Sequence, residues 1–158
     1  KNLDEGSLGA SNFYINILGC LQDMAQSLEY IGKVSHNHVN NNHKKLKYNQ
    51  IKELKEIDSL IEKLLNNTRE VFDNETFDKL GEIIDRKQEL FELLSQKIEK
   101  QVSRTRTEES SPKNTTLYFS LLLETKDLVT ATMTLLEQYK EAYEGTITQA
   151  PVTPLPLN

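Results

Sequence analysis

The sequence predicts an all-α fold, specifically an antiparallel up-down bundle of four long helices. The chain has 158 residues but only 6 Gly and 4 Pro, a composition with few helix breakers. Apolar residues recur at steps of three and four in four successive segments, which is the period of an α-helix. Short polar connections join these segments, so successive helices are expected to run antiparallel. The length suits one domain with a single core.

The first predicted helix follows a lead-in of residues 1–10. Ser11 can cap this helix, because its hydroxyl oxygen can accept a hydrogen bond from a free backbone N–H of the first turn. Its predicted apolar seam is Phe13, Ile17, Leu21, Met24, Leu28 and Ile31. The pattern fades in the Asn- and His-rich residues 36–43, and since Asn favours helix ends, the helix is expected to stop there.

The second and third predicted helices are separated by a tight turn at Asp73–Glu75. Asn49 is the predicted cap of the second helix. Its stripe is Ile51, Leu54, Ile57, Ile61, Leu64 or Leu65, and Phe72. The stripe of the third helix is Phe77, Leu80, Ile84, Phe91, Leu94 and Ile98, and Val102 could continue it.

The fourth predicted helix starts at the pair Ser111–Pro112, because Pro suits the first helical position. Its stripe is Leu117 or Tyr118, Leu121, Leu128, Ala131, Leu135 and Tyr139. Gly145 is predicted to end it. The bundle is therefore assigned to residues 11–145, and the Pro-rich residues 146–158 are expected to form an extended or disordered tail.

Composition and charge argue against several classes of function. The formal net charge is -5 and the isoelectric point is about 5.3, which disfavours binding to nucleic acid. No apolar run approaches the length of about 20 residues that a membrane-spanning helix needs, and no signal-peptide pattern is present. Cys20 is the single cysteine, so no internal disulfide can form and a reducing compartment is the simpler interpretation.

No catalytic motif is present, so the chain is not expected to be an enzyme. It contains no phosphate-binding Gly loop, no Cys-x-x-Cys and no His-Glu-x-x-His. Cys20 lies beside the first apolar seam and is interpreted as a small buried hydrophobic residue.

Six basic residues lie near two connections that an up-down order brings to the same end of the bundle. They are Lys44, Lys45, Lys47, Arg104, Arg106 and Lys113. A basic pole of this kind could bind an anion or an acidic partner. The alternative is that these cations complement the partial negative charge at the carboxyl ends of helices one and three.

Two further groups are candidates for metal ligation. His36 and His43 are seven residues apart and would share a face on a continuous helix. Glu124 and Asp127 lie three apart on the fourth helix, and Asp23 lies near the seam of the first. The alternative interpretations are a solvated helix end for the histidines and hydrated flanks of the core for the carboxylates.

Two strings of residues resemble a known family. The stretch from Leu117 to Val129, LYFSLLLETKDLV, looks like the last helix of a PhoU-like domain. Ile31-Gly32-Lys33 leading into HVNNNHK at residues 38–44 adds to the likeness. Together they resemble the cytoplasmic PhoU-like region that follows the membrane part of bacterial sodium/phosphate cotransporter-family proteins, and the resemblance covers residues 11–143.

The resemblance implies a non-catalytic regulatory or accessory domain of a sodium-dependent phosphate transporter. Its place would be the cytoplasmic face of the bacterial inner membrane. Its partners would be the transmembrane part of the transporter, a regulatory protein or a second copy. Two alternatives remain: a free-standing, metal-binding PhoU-like regulator of phosphate uptake, and a generic helical interaction module.

The resemblance also bears on cofactors. Some PhoU proteins bind iron or zinc clusters through repeated Glu/Asp-x-x-x-Asp motifs. Here Glu124 and Asp127 are one residue too close, and Leu128 occupies the place of the second acid. Gln22 and Gln26 occupy the corresponding positions of the first helix. No iron or zinc is therefore expected.

Overall fold

A computed structural model describes residues 5–40, 46–107 and 109–148. All regular secondary structure in these ranges is helical, which confirms the all-α prediction. There are four long helices, α1, α2, α4 and α5, and one short helix, α3. Their bounds are α1 Glu5–Asn40, α2 Tyr48–Asp73, α3 Leu80–Ile84, α4 Lys87–Arg106 and α5 Pro112–Thr148, with a 3-10 turn at Phe77–Lys79.

Helix α5 lies at the centre of the fold and is buried on two sides. One side packs into the core formed with α2, α3 and α4, through Leu122, Val129, Met133 and Leu136. The other side faces α1, where Leu135 contacts Ile17 and Cys20. The single stripe predicted for this helix was therefore too narrow. A central helix is apolar around most of its circumference, because it must cover more than one neighbour.

Polar and aromatic contacts connect the helices at opposite ends of the fold. The start of α5 meets the end of α4 and the start of α2: Gln101 Nε2 lies 3.3 Å from Thr115 Oγ1, and Tyr118 donates a hydrogen bond to Glu53. At the other end, the Tyr139 ring lies 4.6 Å from the Phe72 ring, centroid to centroid. The predicted turn lies beside Phe72, and Glu75 adopts a positive φ of 55° there.

The predicted bundle, residues 11–145, was too short at both ends. Helix α1 begins at Glu5 rather than Ser11, and α5 continues through Gly145 to Thr148. Glycine lowers helix stability by only about 1 kcal/mol and ends a helix when it turns left-handed. Because no described glycine has a positive φ, the helices run on. Residues 149–158 lie outside the described residues, so the tail remains a prediction.

The third predicted helix is interrupted. The 3-10 turn and α3 are followed by a turn at Asp85 and Arg86, where the Arg86 N–H bonds the Ile83 carbonyl at 3.2 Å. Every residue between Ile84 and Leu90 is polar, and the helix is interrupted within this polar run. Ile83 and Leu90 are buried instead of the predicted Ile84 and Phe91, which are half-buried.

The start of α5 confirms the predicted Ser111–Pro112 pair. The Asn114 backbone N–H donates to Ser111 Oγ at 3.2 Å, which is the hydrogen bond of an N-terminal cap. Helix α2 starts differently from the prediction, because its cap is Lys47 rather than Asn49. The Lys47 backbone N–H donates to Gln50 Oε1 at 3.0 Å.

Candidate functional site

Helix α1 carries two apolar faces, and among the described residues the other helices cover only one of them. The covered face contacts α5 through Phe13, Ile17, Cys20 and Met24. The second face, called here the α1 outer face, consists of Tyr14, Leu18, Leu21, Ala25 and Leu28. Tyr14 is 66% exposed and Leu18 is 64% exposed, whereas Ile17 is only 7% exposed.

The α1 outer face has the spacing of a coiled-coil seam. Its residues follow one another at steps of four and three, the heptad pattern that lets two helices interlock their side chains. No charged residue occurs between Glu5 and Asp23. A helix that is apolar on several sides is normally covered on several sides. The α1 outer face is therefore the best candidate for a surface that binds another helix.

This finding corrects the predicted seam of the first helix. Leu21 and Leu28 were assigned to the core, but they lie on the outer face, 46% and 49% exposed. Cys20 and Ser27 are buried in their place. Two apolar rows one residue apart both satisfy a three-and-four pattern, so periodicity alone cannot assign the row that packs inward.

An apolar groove adjoins the outer face at Leu28. It has a volume of about 380 Å³ and lies between α1, α2 and α5. Its apolar lining residues are Leu28, Ile31, Ile51, Leu54, Ile57, Ile61, Leu121 and Leu128. Because Leu28 belongs to both features, the outer face and the groove form one continuous apolar surface.

The carboxylates singled out in the sequence meet in a separate cavity between α1 and α5. Asp23, Glu124 and Asp127 all line this α1–α5 cavity, whose volume is about 420 Å³. The other lining residues are Cys20, Gln26, Ser27, Tyr30, Thr130, Ala131 and Thr134. The structure thus places acids from α1 and α5 around one cavity.

The donors in this cavity do not fit an iron or zinc cluster. Within residues 5–40, 46–107 and 109–148, no three His, Cys, Asp or Glu side chains lie close enough to hold a metal ion. Gln26, one of the two amides at the places of expected acids, lines the cavity. His36 is exposed on α1, while His43 lies outside the described residues. Ligation by the histidine pair therefore remains a prediction.

Cys20 is buried, as the sequence predicts. Burial, and then the negative charge of Asp23, raise the pKa of its thiol. A thiol is a nucleophile only as the thiolate. Cys20 is therefore protonated and poorly reactive at neutral pH.

A buried polar cluster ties α2, α4 and α5 together at the end opposite the aromatic contacts. The Glu53 carboxylate accepts hydrogen bonds from the Arg104 guanidinium and the Tyr118 hydroxyl. Gln101 Oε1 accepts from Gln50 Nε2 at 3.0 Å and from Arg104 at 3.0 Å. We refer to these five residues as the Glu53 cluster.

Gln50, Glu53 and Gln101 were not predicted as site residues, because they are polar and stand outside any apolar pattern. Their positions nevertheless continue the buried face of each helix. Glu53 precedes the buried Ile57 by four residues, and Gln101 follows the buried Leu94 by seven. Polar side chains in register with an apolar stripe, close to a helix end, are the sequence feature that could have indicated a buried network.

The electrostatics of the cluster are those of a structural ion pair. Burial alone would raise the pKa of Glu53, but the hydrogen bonds from Arg104 and Tyr118 outweigh it and lower that pKa. Burial, followed by the neighbouring Glu53 carboxylate, raises the pKa of Tyr118. Glu53 is therefore ionised and Tyr118 neutral at pH 7. A general acid or base instead needs a pKa near the working pH.

The residues of the predicted basic pole fall into two groups, a nearly buried arginine and several exposed cations. Arg104 is engaged by Glu53, and its side chain is only 12% exposed. Lys47, Arg106 and Lys113 are exposed, and Lys44 and Lys45 lie outside the described residues. Arg104 and Arg106 occupy the last turn of α4, where cations complement the partial negative charge of a helix end. Anion binding remains a prediction for the exposed members.

Comparison with protein-family models, with curated proteins and with solved structures finds no match. No helix in the described part of the chain is both long enough and apolar enough to cross a bilayer.

Proposed function

We propose that this chain is a non-catalytic helical domain that regulates or assembles a larger system by binding a partner through the α1 outer face. One observation carries the proposal: a heptad-spaced apolar row on α1 is 46% to 66% exposed at its four large side chains. Single exposed apolar residues are ordinary on a protein surface, whereas a contiguous row marks an interaction site.

The arrangement that we propose for the fold is an antiparallel up-down bundle of the PhoU-like kind. Contacts along α4 and α5 support it. Near the end of α4, Gln101 bonds Thr115 near the start of α5, whereas at the start of α4 the Lys87 Nζ lies 3.5 Å from the Glu137 Oε1 further along α5. These two contacts indicate that α4 and α5 run antiparallel.

The specific role that we propose is that of a cytoplasmic accessory domain of a sodium-dependent phosphate transporter at the bacterial inner membrane. The resemblance of residues 11–143 to the PhoU-like region of such transporters supports this role. The partner would be the transmembrane part of the transporter, a regulatory protein or a second copy of the domain.

Transport measurements test this role. The whole gene product would be expressed in bacteria that lack their own phosphate uptake systems, as wild type and as Leu18→Glu. The matched control is Leu123→Glu on α5, which alters a 53% exposed leucine away from the α1 outer face. We expect Leu18→Glu to change sodium-dependent phosphate uptake at equal protein levels and Leu123→Glu to leave it unchanged. Equal uptake by all three proteins would contradict the role.

A free-standing, metal-binding regulator is the second candidate: Asp23, Glu124 and Asp127 line one cavity, but among the described residues they do not form a group close enough to hold a metal ion. Elemental analysis of protein purified without chelator separates the two functions. The accessory-domain proposal predicts less than a tenth of an equivalent of iron or zinc. A near-stoichiometric content, lost in a Glu124→Gln/Asp127→Asn variant, would favour the metal-binding regulator.

A further inference from the structure

We infer that the occupant of the α1 outer face is the same face of a second copy of this chain, in an antiparallel arrangement. The inference rests on the proposed binding role of that face and names its partner. Three features of the face support it: its area, its pattern of side-chain sizes and its charge.

The exposed area is close to what a specific dimer needs. The four large side chains and Ala25 expose on the order of 500 Å² per copy, so two copies would bury about 1,000 Å², the lower bound of specific interfaces. A patch of this size on one copy lies in the upper part of the range of about 300 to 600 Å² for the largest apolar patch of a typical monomer, and such patches are often functional. Because the buried area lies at the lower bound of specific interfaces, we expect a weak, reversible dimer.

The side-chain sizes favour the antiparallel direction. With Leu18 placed against the partner's Leu21, Tyr14 lies against the partner's Ala25. The large Tyr14 then faces the small Ala25 in the outer layers, and Leu18 and Leu21 face each other in the central layers, so that no layer holds two small or two aromatic residues. A parallel pairing would place Ala25 against the partner's Ala25, leaving a gap, and Tyr14 against the partner's Tyr14, crowding the seam. The interface is symmetric under a twofold rotation, as in most homodimers.

Charge favours the same direction. Glu29 and Lys33 follow the face at its C-terminal end, whereas no charged residue occurs between Glu5 and Asp23. In the antiparallel pairing, Glu29 lies opposite the uncharged region around Ala10 of the partner. A parallel pairing would bring two Glu29 carboxylates to the same level and cause repulsion.

Sedimentation equilibrium of the full chain, from low micromolar to millimolar concentration, tests the dimer. We expect the wild type and Leu123→Glu to shift from monomer to dimer over this range, and the Leu18→Glu/Leu21→Glu variant to remain monomeric. A wild type that remains monomeric throughout, or a double variant that dimerises equally well, would overturn the inference.

Disulfide cross-linking between single cysteines, with the native cysteine removed by Cys20→Ser, tests whether the two α1 helices run antiparallel. Tyr14→Cys mixed with Ala25→Cys should form a mixed disulfide dimer, whereas Tyr14→Cys alone should not. The two copies of residue 14 would lie about 16 Å apart along the axis, well beyond the separation of about 7 Å that a disulfide can bridge. Efficient cross-linking of Tyr14→Cys to itself would overturn the antiparallel arrangement.

The two proposals can fail separately. A dimer that Leu18→Glu disrupts without any change in phosphate uptake would contradict the transport role alone. A monomeric wild type whose uptake still depends on Leu18 would contradict the dimer and retain the transport role.

Discussion

Replacing Arg104 by Met should destabilise the protein strongly, because the substitution leaves the Glu53 carboxylate buried without its counter-ion. Both side chains are nearly buried: Glu53 is 9% exposed and Arg104 is 12% exposed. Removing one partner of a buried ion pair costs about 3 to 5 kcal/mol. Tyr118 still donates a hydrogen bond to Glu53, so we expect the lower end, about 3 kcal/mol.

Urea unfolding followed by circular dichroism measures this loss. If the free energy of unfolding falls by about 2 kcal/mol per molar urea, the urea concentration at the unfolding midpoint should be lower by about 1.5 M in Arg104→Met than in the wild type. Arg106→Met is the matched control, since Arg106 lies two residues further along α4 and is exposed. Its effect should stay within about 0.5 kcal/mol. The double variant Glu53→Gln/Arg104→Met should recover part of the stability, because no uncompensated charge remains buried.

The pH dependence provides an independent check. In the wild type the pKa of Glu53 is lower in the folded protein than in the unfolded chain. The ionised Glu53 therefore adds fully to the free energy of unfolding above its unfolded-state pKa, and this stabilisation is lost as pH falls through the folded-state pKa. Without Arg104, burial raises that pKa, and the variant loses stability as pH rises. The difference between wild type and Arg104→Met should therefore grow from about pH 4 to pH 7. Equal effects of Arg104→Met and Arg106→Met, or a difference independent of pH, would refute this reasoning.

Three further predictions concern the core, the thiol and the start of α5. Leu122→Ala should cost about 3 kcal/mol, because Leu122 is fully buried, while Leu123→Ala, at a 53% exposed neighbour, should cost less than about 0.5 kcal/mol; denaturant titrations of both variants provide the comparison. Cys20 should react with a thiol reagent much more slowly in the native protein than in urea, since burial raises its pKa; equal rates would show that the α1–α5 interface opens freely. Ser111→Ala should cost about 1 kcal/mol in thermal unfolding, because it removes the hydroxyl that accepts from the Asn114 N–H.

The sequence was sufficient to predict the helical class and most helix positions. Few glycines and prolines, a three-and-four apolar period and the Ser111–Pro112 pair are local features, and local features determine where helices form. The turn at Asp73–Glu75 was predictable for the same reason. The interruption at Asp85 and Arg86 was not predicted, although the polar run between Ile84 and Leu90 marks it.

The site was harder to predict, because it depends on packing between segments distant in sequence. Leu21 and Leu28 belong to a row that satisfies the helical period as well as the buried row does. Gln50, Glu53 and Gln101 of the Glu53 cluster were missed because hydrophobicity patterns omit polar residues, and because the hydrogen-bond partners of Glu53 lie 51 and 65 positions away in the sequence. In contrast, Asp23, Glu124 and Asp127 were singled out from the sequence, and the structure places all three around one cavity, while a functional role for them stays a prediction.

The most direct test of the central claim compares two neighbouring substitutions on α1 by urea unfolding at low protein concentration, where the chain is monomeric. Ile17 is 7% exposed and Leu18 is 64% exposed, so Ile17→Glu should cost more than about 3 kcal/mol, while Leu18→Glu should stay within about 0.5 kcal/mol. Repeated at high concentration, the wild type should gain stability and Leu18→Glu should not. A loss in Leu18→Glu as large as that in Ile17→Glu would show that the fold itself covers the outer face and would contradict the account.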